Sequence, residues 1–174
     1  MEPWGYGEGP AADAMFTTQK GIGLGVITAD CAPVLFSDGA GSCVGAAHAG
    51  WRGAVLGVLE ATAMAMRSKG ATGITAVIGP CIAQASYEVG ADLRDEVLAR
   101  DDAHAEFFKP GAAEGKYWFD LPGYCVARLA RVEVPARVLG RDTCAEEDDF
   151  FSHRRRTKRG ESALGHQISV IRLA

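Results

Sequence analysis

Cys31, His48 and Arg52 are the residues whose types and spacing suit them to do chemistry together. Cys31 follows Asp30 at the break in an apolar run, and His48 closes a run of small residues. Arg52 sits on the glycine-flanked turn Gly50-Trp51-Arg52-Gly53. A Cys and a His brought to one point support two chemistries. The imidazole can lower the thiol pKa and free a thiolate nucleophile. Alternatively, thiolate and imidazole bind Zn²⁺, which then needs a third ligand and an open position for water. Either residue alone is equally consistent with structure, the Cys as a small buried hydrophobe and the His satisfied by backbone. Arg52 adds a different capability. At a turn that opens a helix, amide groups and the helix dipole favour an anion, and a guanidinium adds a bidentate fork. Such a corner beside a Cys/His pair points to phosphoryl or phosphate-dependent chemistry.

These residues meet only if the elements carrying them are neighbours. Residues 22–36 are mostly apolar, interrupted by Thr28-Ala29-Asp30-Cys31-Ala32-Pro33. That pattern predicts two short buried strands or one kinked strand, with Pro33 excluding a regular central ladder. Residues 42–48 read as a further strand, and 49–53 as a turn. A helix is expected over 54–69, with Val55, Leu59 and Ala63 on one face and Gly70 as its stop. Residues 74–78 form a strand before Gly79-Pro80, and a polar helix follows over about 90–102. Another helix runs from 120 or 121 to 131, with Pro122 in its first turn. Strands at 136–140 and 167–173 complete the set, the second carrying β-branched Ile168, Val170 and Ile171. Gly21, Gly23 and Gly25 imitate a dinucleotide fingerprint, but they lie inside a continuing strand and not at a strand-to-helix turn. They read as small residues for close packing. There is no repeat and no linker. Residues 1–11 form a Gly- and Pro-rich lead-in, and 12–174 make one α+β domain, a mixed β-sheet packed by helices.

Composition narrows the function classes. The 174 residues are 48% hydrophobic and 23% charged, as in a soluble globular protein. A net charge of −4 argues against a nucleic-acid binder. The one basic run, Arg154-Arg155-Arg156 with Lys158 and Arg159, reads as solvated surface. No apolar stretch is long enough to cross a bilayer, and the N-terminus lacks the pattern of a signal peptide, so the expected location is cytoplasmic. The five cysteines are odd in number and lack CxxC spacing, which argues for free thiols or metal ligands and against a disulfide framework.

Three segments carry a family resemblance: TADCAPVLFSD (28–38), GAAHAGWRG (45–53) and IGPCIAQASYEVG (78–90), with FDL (119–121) and FFSHRR (150–155) following in order. From about residue 12 to the end, the chain resembles the laccase-domain family, whose members are also called polyphenol oxidases or purine nucleoside phosphorylases. The resemblance implies an α+β fold and a zinc site of His, Cys and His. It also implies phosphorolysis of adenosine, inosine, guanosine and methylthioadenosine, and deamination of adenosine. Its substrates would be a purine nucleoside and phosphate. Carried over by motif, Cys31 is the cysteine ligand, His48 the second histidine ligand and Arg52 the phosphate contact. Cys81, Tyr87 and Arg154 are expected to bind substrate, with Ser86 and Glu88 lining the same pocket. Asp30 and Glu88 are the candidates for a proton shuttle in deamination, though both could equally be structural hydrogen-bonding groups.

The chain departs from the family at one point. The family's first histidine ligand lies in a VHG-like segment upstream of TADC, whereas the four histidines here are His48, His104, His153 and His166. The expectation is therefore an N-terminally shortened family domain, with the third ligand supplied by His153 or by a partner chain. Sheet edges left uncovered by such a loss favour self-association into a homo-oligomer. Two readings compete: a thiol hydrolase built on Cys31 and His48, and a purine- or metal-binding fragment without turnover. A multicopper oxidase is excluded, because four histidines cannot supply its copper sites.

Overall fold

The computed structural model describes residues 11–174. Most of the lead-in expected over 1–11 therefore lies outside the described residues. The architecture is built around a five-stranded sheet in the order β1-β4-β3-β5-β9. Its strands are β1 (Ala14–Thr17), β3 (Ala32–Ser37), β4 (Val44–Ala49), β5 (Thr75–Ile78) and β9 (Ala136–Val138). Neighbours run antiparallel except β5 and β9, which are parallel, so the sheet is mixed as expected. A two-stranded ribbon of β2 (Gly23–Thr28) and β10 (Gln167–Arg172) lies apart from it. A three-stranded antiparallel sheet of β6 (Glu88–Gly90), β7 (Phe108–Pro110) and β8 (Lys116–Phe119) completes the strands. Neither β1 nor this small sheet is legible in the sequence, because its strands have only three or four residues each and show no sustained alternation.

Alternation along β3 and β4 assigns the two faces of the large sheet. Ala32, Val34 and Phe36, with Ala47 and Ala49, join the main core with α2 (Val58–Arg67) and α4 (Leu121–Ala130). There Leu59, Ala63, Met66, Tyr124 and Leu129 are fully buried. The opposite face carries Leu35, Val44 and Ala46, which pack under Leu24, Val26 and Ile171 of the ribbon. His48 has the parity of Val44 and Ala46, so it belongs to the ribbon side. Gly25 lies in β2 opposite Val170, and a Cβ there would stand 3.0 Å from Ile168 Cδ1. Gly25 thus packs closely as expected, whereas Gly21 lies before β2 at φ 81° with nothing within 4 Å of a Cβ, a turn residue and not a packing one.

Two expectations about the backbone need correction. The single helix expected over 54–69 is two helices, α1 (Trp51–Leu56) and α2, broken at Gly57 with φ 93°. That left-handed angle costs a glycine little, and it turns the chain between the helices. Pro33 does sit in a central strand, paired with His48 of β4. Its carbonyl accepts from Gly79 N–H, so the side on which it lacks a donor faces β5 just beyond the last residue of that strand, Ile78. The bond lost is the reciprocal one to the Gly79 carbonyl, at the point where the β3–β5 ladder ends. Two further helices, α3 (Ala91–Leu98) and α5 (His153–Arg159), complete the set. No helix among the described residues is long and apolar enough to cross a membrane.

Candidate active site

A cavity of about 480 Å³ opens between the ribbon, the ends of β3 and β4, and the start of α5. This lies within the roughly 300–1,000 Å³ typical of small-molecule sites. Cys31, His48, Tyr87 and Arg154 all line it, together with Thr28, Asp30, Trp51, Ile82, Leu121, His153 and His166. Residues from 27–31, 48–51, 82–87, 121, 153–154 and 164–166, far apart in sequence, therefore converge on one chamber.

Antiparallel pairing of β3 with β4 brings the Cys and His together. Ala32 pairs with Ala49 and Pro33 with His48, which leaves Cys31 facing Gly50 just beyond the ladder. A Cβ on Gly50 would stand 2.9 Å from Cys31 Sγ, so glycine is what lets the thiol lie against the turn. Burial first, and then the neighbouring Asp30 carboxylate, raise the Cys31 pKa above the ordinary thiol value. That direction is opposite to what a thiolate nucleophile requires.

Asp30 itself holds the chamber together. Its backbone has φ 87°, in the left-handed region, and the residue is only 8% exposed. One carboxylate oxygen accepts from Thr143 Oγ1 at 2.7 Å and the other from the Arg154 backbone N–H at 2.6 Å. Its carbonyl accepts from Ile82 N–H at 2.9 Å. Asp30 thus ties the β2–β3 turn to the Thr143 loop, to α5 and to the loop after β5. This is the structural hydrogen-bonding alternative for Asp30; its partners are not legible in the sequence.

Tyr87 and Arg154 form the opposite wall. Arg154 donates from Nη1 to the Glu88 carbonyl at 2.7 Å and lies over the Tyr87 ring, 5.3 Å from its centroid. Asp142 fixes the loop before Tyr87 by accepting from Ser86 Oγ at 2.6 Å and Ala83 N–H at 3.3 Å. The basic run is therefore not simply solvated. Arg154 and Arg155 are half-buried, and Arg155 donates to the carbonyls of Thr143, Cys144 and Phe150.

The remaining expected site residues fall elsewhere. Arg52 is exposed and stacks on Trp51, 4.6 Å from the ring centroid, so only Trp51 of the pair is a cavity wall. Cys81 does not line the cavity. It is 2% exposed within the main core, where burial and nearby carboxylates push its thiol up to about 12. Ile82, one residue on, takes the lining position. Ser86 is committed to Asp142, and Glu88 accepts from Ala112 N–H at 2.9 Å; neither reaches the cavity. His104 packs edge-on against Tyr124, away from the site.

Metal binding can be tested on the donor set. Cys31 and His48 share the chamber with His153 and His166, yet no group of three or more His, Cys, Asp or Glu among the described residues is placed to hold a metal ion. His153 does not complete a three-ligand site with the Cys/His pair. The described residues alone do not fit a catalytic zinc centre.

Comparison with known proteins agrees with this fold. The chain is 38% identical over 147 residues to purine nucleoside phosphorylase RC0672 of Rickettsia conorii, a match covering 84% of this chain and 61% of that protein. It is 41% identical over 155 residues to purine nucleoside phosphorylase YfiH of Escherichia coli, covering 87% and 62% respectively. The chain thus spans less than two thirds of the length of these relatives. The crystal structure of Neisseria meningitidis protein NMB0706 superposes with a TM-score of 0.85 at 38% identity, covering 94% of this chain and 65% of that one. The model of the family described as "Multi-copper polyphenol oxidoreductase laccase" matches residues 3–174, and the chain belongs to that family.

Proposed function

We propose that this chain catalyses phosphorolysis of purine nucleosides, transferring the ribosyl group from the base to phosphate. The observation that carries the reading is the single chamber lined by Cys31, His48, Tyr87 and Arg154, of a volume suited to a nucleoside. The names borne by its relatives support it. In this reading the base stacks on Trp51, an aromatic wall of the cavity, with Tyr87 at its edge. Arg154, held by the Glu88 carbonyl, presents its remaining N–H groups to an oxyanion. Arg52 waits at the rim on Trp51 as a second cation for phosphate. Phosphate then attacks the ribose carbon while the base departs, and the site must neutralise charge on the purine.

Zn²⁺ remains the expected cofactor, with Cys31 and His48 as two of its donors and a third from outside the described residues. Adenosine deamination is the second expected activity. It needs a carboxylate beside the attacking water, and Asp30 has both oxygens engaged while Glu88 lies off the cavity. We therefore expect it to be the weaker activity. A thiol hydrolase is disfavoured by the direction of the Cys31 shift.

The deciding experiment incubates the chain with inosine or adenosine, with and without phosphate and Zn²⁺, and separates the products by chromatography. Free base and ribose 1-phosphate, formed only with phosphate and lost in Cys31→Ser, support the reading. Free base formed without phosphate, or turnover that survives a chelator but not a thiol alkylator, refutes it.

A further inference from the structure

We propose that Tyr87 is the catalytic hydrogen-bond donor to the leaving purine, its phenol O–H directed at N7 as the glycosidic bond breaks. The inference rests on the phosphorolysis reading above and names the residue that performs its hardest task. Breaking the bond between C1′ and N9 leaves the electron pair on the base, and the charge accumulates in the imidazole ring. A preorganised donor there acts most strongly in the transition state.

Of the other donors that line the cavity, His48 is an expected metal ligand, Trp51 is a stacking wall, and His153 and His166 are exposed. Asp30 is an acceptor with both oxygens engaged. The Thr28 hydroxyl is buried and has no partner, but it has under 1 Å² of accessible surface. Arg154 is drawn to the Glu88 carbonyl and suits an oxyanion. Tyr87 lines the chamber, and its hydroxyl is not engaged by any hydrogen bond that perturbs its ionisation.

The placement of the ring is what recommends it. Cys31 and Asp30 act to raise the phenol pKa, Arg154 and Arg52 to lower it. The ring is fixed by Phe119, 5.9 Å away between centroids, and by the Arg154 guanidinium at 5.3 Å. Burial, with the Cys31 and Asp30 charges added, outweighs the two guanidinium groups and pushes the phenol up to about 12. Tyr87 therefore stays protonated at working pH and keeps its proton through the reaction. Atoms balance without its ionising. A hydrogenphosphate oxygen bonds C1′, the C1′–N9 pair goes to the purine, and the proton brought by hydrogenphosphate ends on the departing base.

Tyr87→Phe tests the proposal, since Phe keeps the ring packing and should leave the thermal unfolding midpoint unchanged. With inosine, kcat should fall about 100-fold or more while KM rises by only about 10-fold, as for loss of a donor whose hydrogen bond strengthens in the transition state. With 7-methylguanosine, whose imidazole ring already carries positive charge, the loss should be under about 5-fold. Equal losses on both substrates overturn the proposal. A binding cycle needs no turnover: by calorimetry, the unsubstituted chain should prefer inosine over 7-deazainosine by about 10-fold, and Tyr87→Phe should show no preference. An unchanged preference in the variant also overturns it. If the unsubstituted chain neither binds nor cleaves inosine, the purine reading fails and this inference with it. If that chain is active and only the Tyr87 contrasts are absent, the inference alone fails.

Discussion

Asp30→Ala is the most informative perturbation, because one side chain secures several walls of the cavity. The substitution deletes two hydrogen bonds to a carboxylate, each contributing about 1.5 to 3 kcal/mol. It strands the Thr143 hydroxyl, which is 0% exposed, and the Arg154 N–H. It also places Ala at φ 87°, where Asp and Asn are better tolerated, for roughly another 1 kcal/mol. The expected loss is about 4 to 7 kcal/mol, a large share of the roughly 5 to 15 kcal/mol that holds a domain folded. Asp30→Asn is the paired control. It keeps the left-handed backbone and one acceptor for Arg154, and its amide can still donate to Thr143, so the loss should be only about 1 to 2 kcal/mol. Urea unfolding followed by Trp fluorescence measures both, since Trp51 lines the chamber. Nucleoside affinity should fall in the Ala variant, because the Arg154 backbone loses its anchor. Two variants of equal stability, or a loss under about 1.5 kcal/mol for Ala, would refute the view that this carboxylate clamps the site.

Two further perturbations probe the frame around the site. Arg128 joins α4 to α1 and α2, donating to Glu60, the Val55 carbonyl and Tyr124 Oη, with its side chain 13% exposed. Arg128→Met should cost about 2 to 4 kcal/mol by leaving the Glu60 carboxylate uncompensated, and adding Glu60→Met should recover much of it, as a thermal-unfolding cycle would register. Asp38 closes the β3–β4 turn by accepting from Ser42 N–H, Ser42 Oγ and Cys43 N–H. Burial works to raise its pKa, but these hydrogen bonds outweigh it and hold the carboxyl below its ordinary value. A folded pKa below the unfolded one gives stability that is complete above the unfolded value of about 4 and is lost as pH falls through the folded one. Asp38→Asn should therefore be less stable at pH 7, and the difference should shrink steadily in urea titrations below about pH 4. A difference that stays constant with pH would refute the assignment.

The strands and helices that carry Cys31 and His48 were legible in the sequence because each is long enough for its hydrophobic period to show. Gly50 and Gly57 were visible as glycines, but their reasons were not: one lets a thiol approach, the other turns a helix through φ 93°. The three-stranded sheet was hidden because three-residue strands have no period to read. Cys81 illustrates the general difficulty. Its motif places it beside the cavity, but after Pro80 the chain leaves β5, and Ile82 is the residue that lines the chamber while the thiol sits in the core. Shifting by one residue along an extended segment exchanges the two faces, so a motif fixes neighbourhood without fixing direction.

The same limit explains why the clamp was missed and the wall was found. Tyr87 and Arg154 were available as candidates through the family segments that contain them, IGPCIAQASYEVG and FFSHRR. The function of Asp30 consists of its partners, Thr143 and the Arg154 backbone, which lie 113 and 124 residues away in the chain. No local pattern encodes such a pairing; it exists only once the ribbon has packed over the sheet. The site is therefore a product of the ribbon-side packing as much as of the Cys/His pair. This predicts where its vulnerability lies: substitutions that loosen β2 and β10 from the sheet should damage the cavity before they unfold the helical core on the other face.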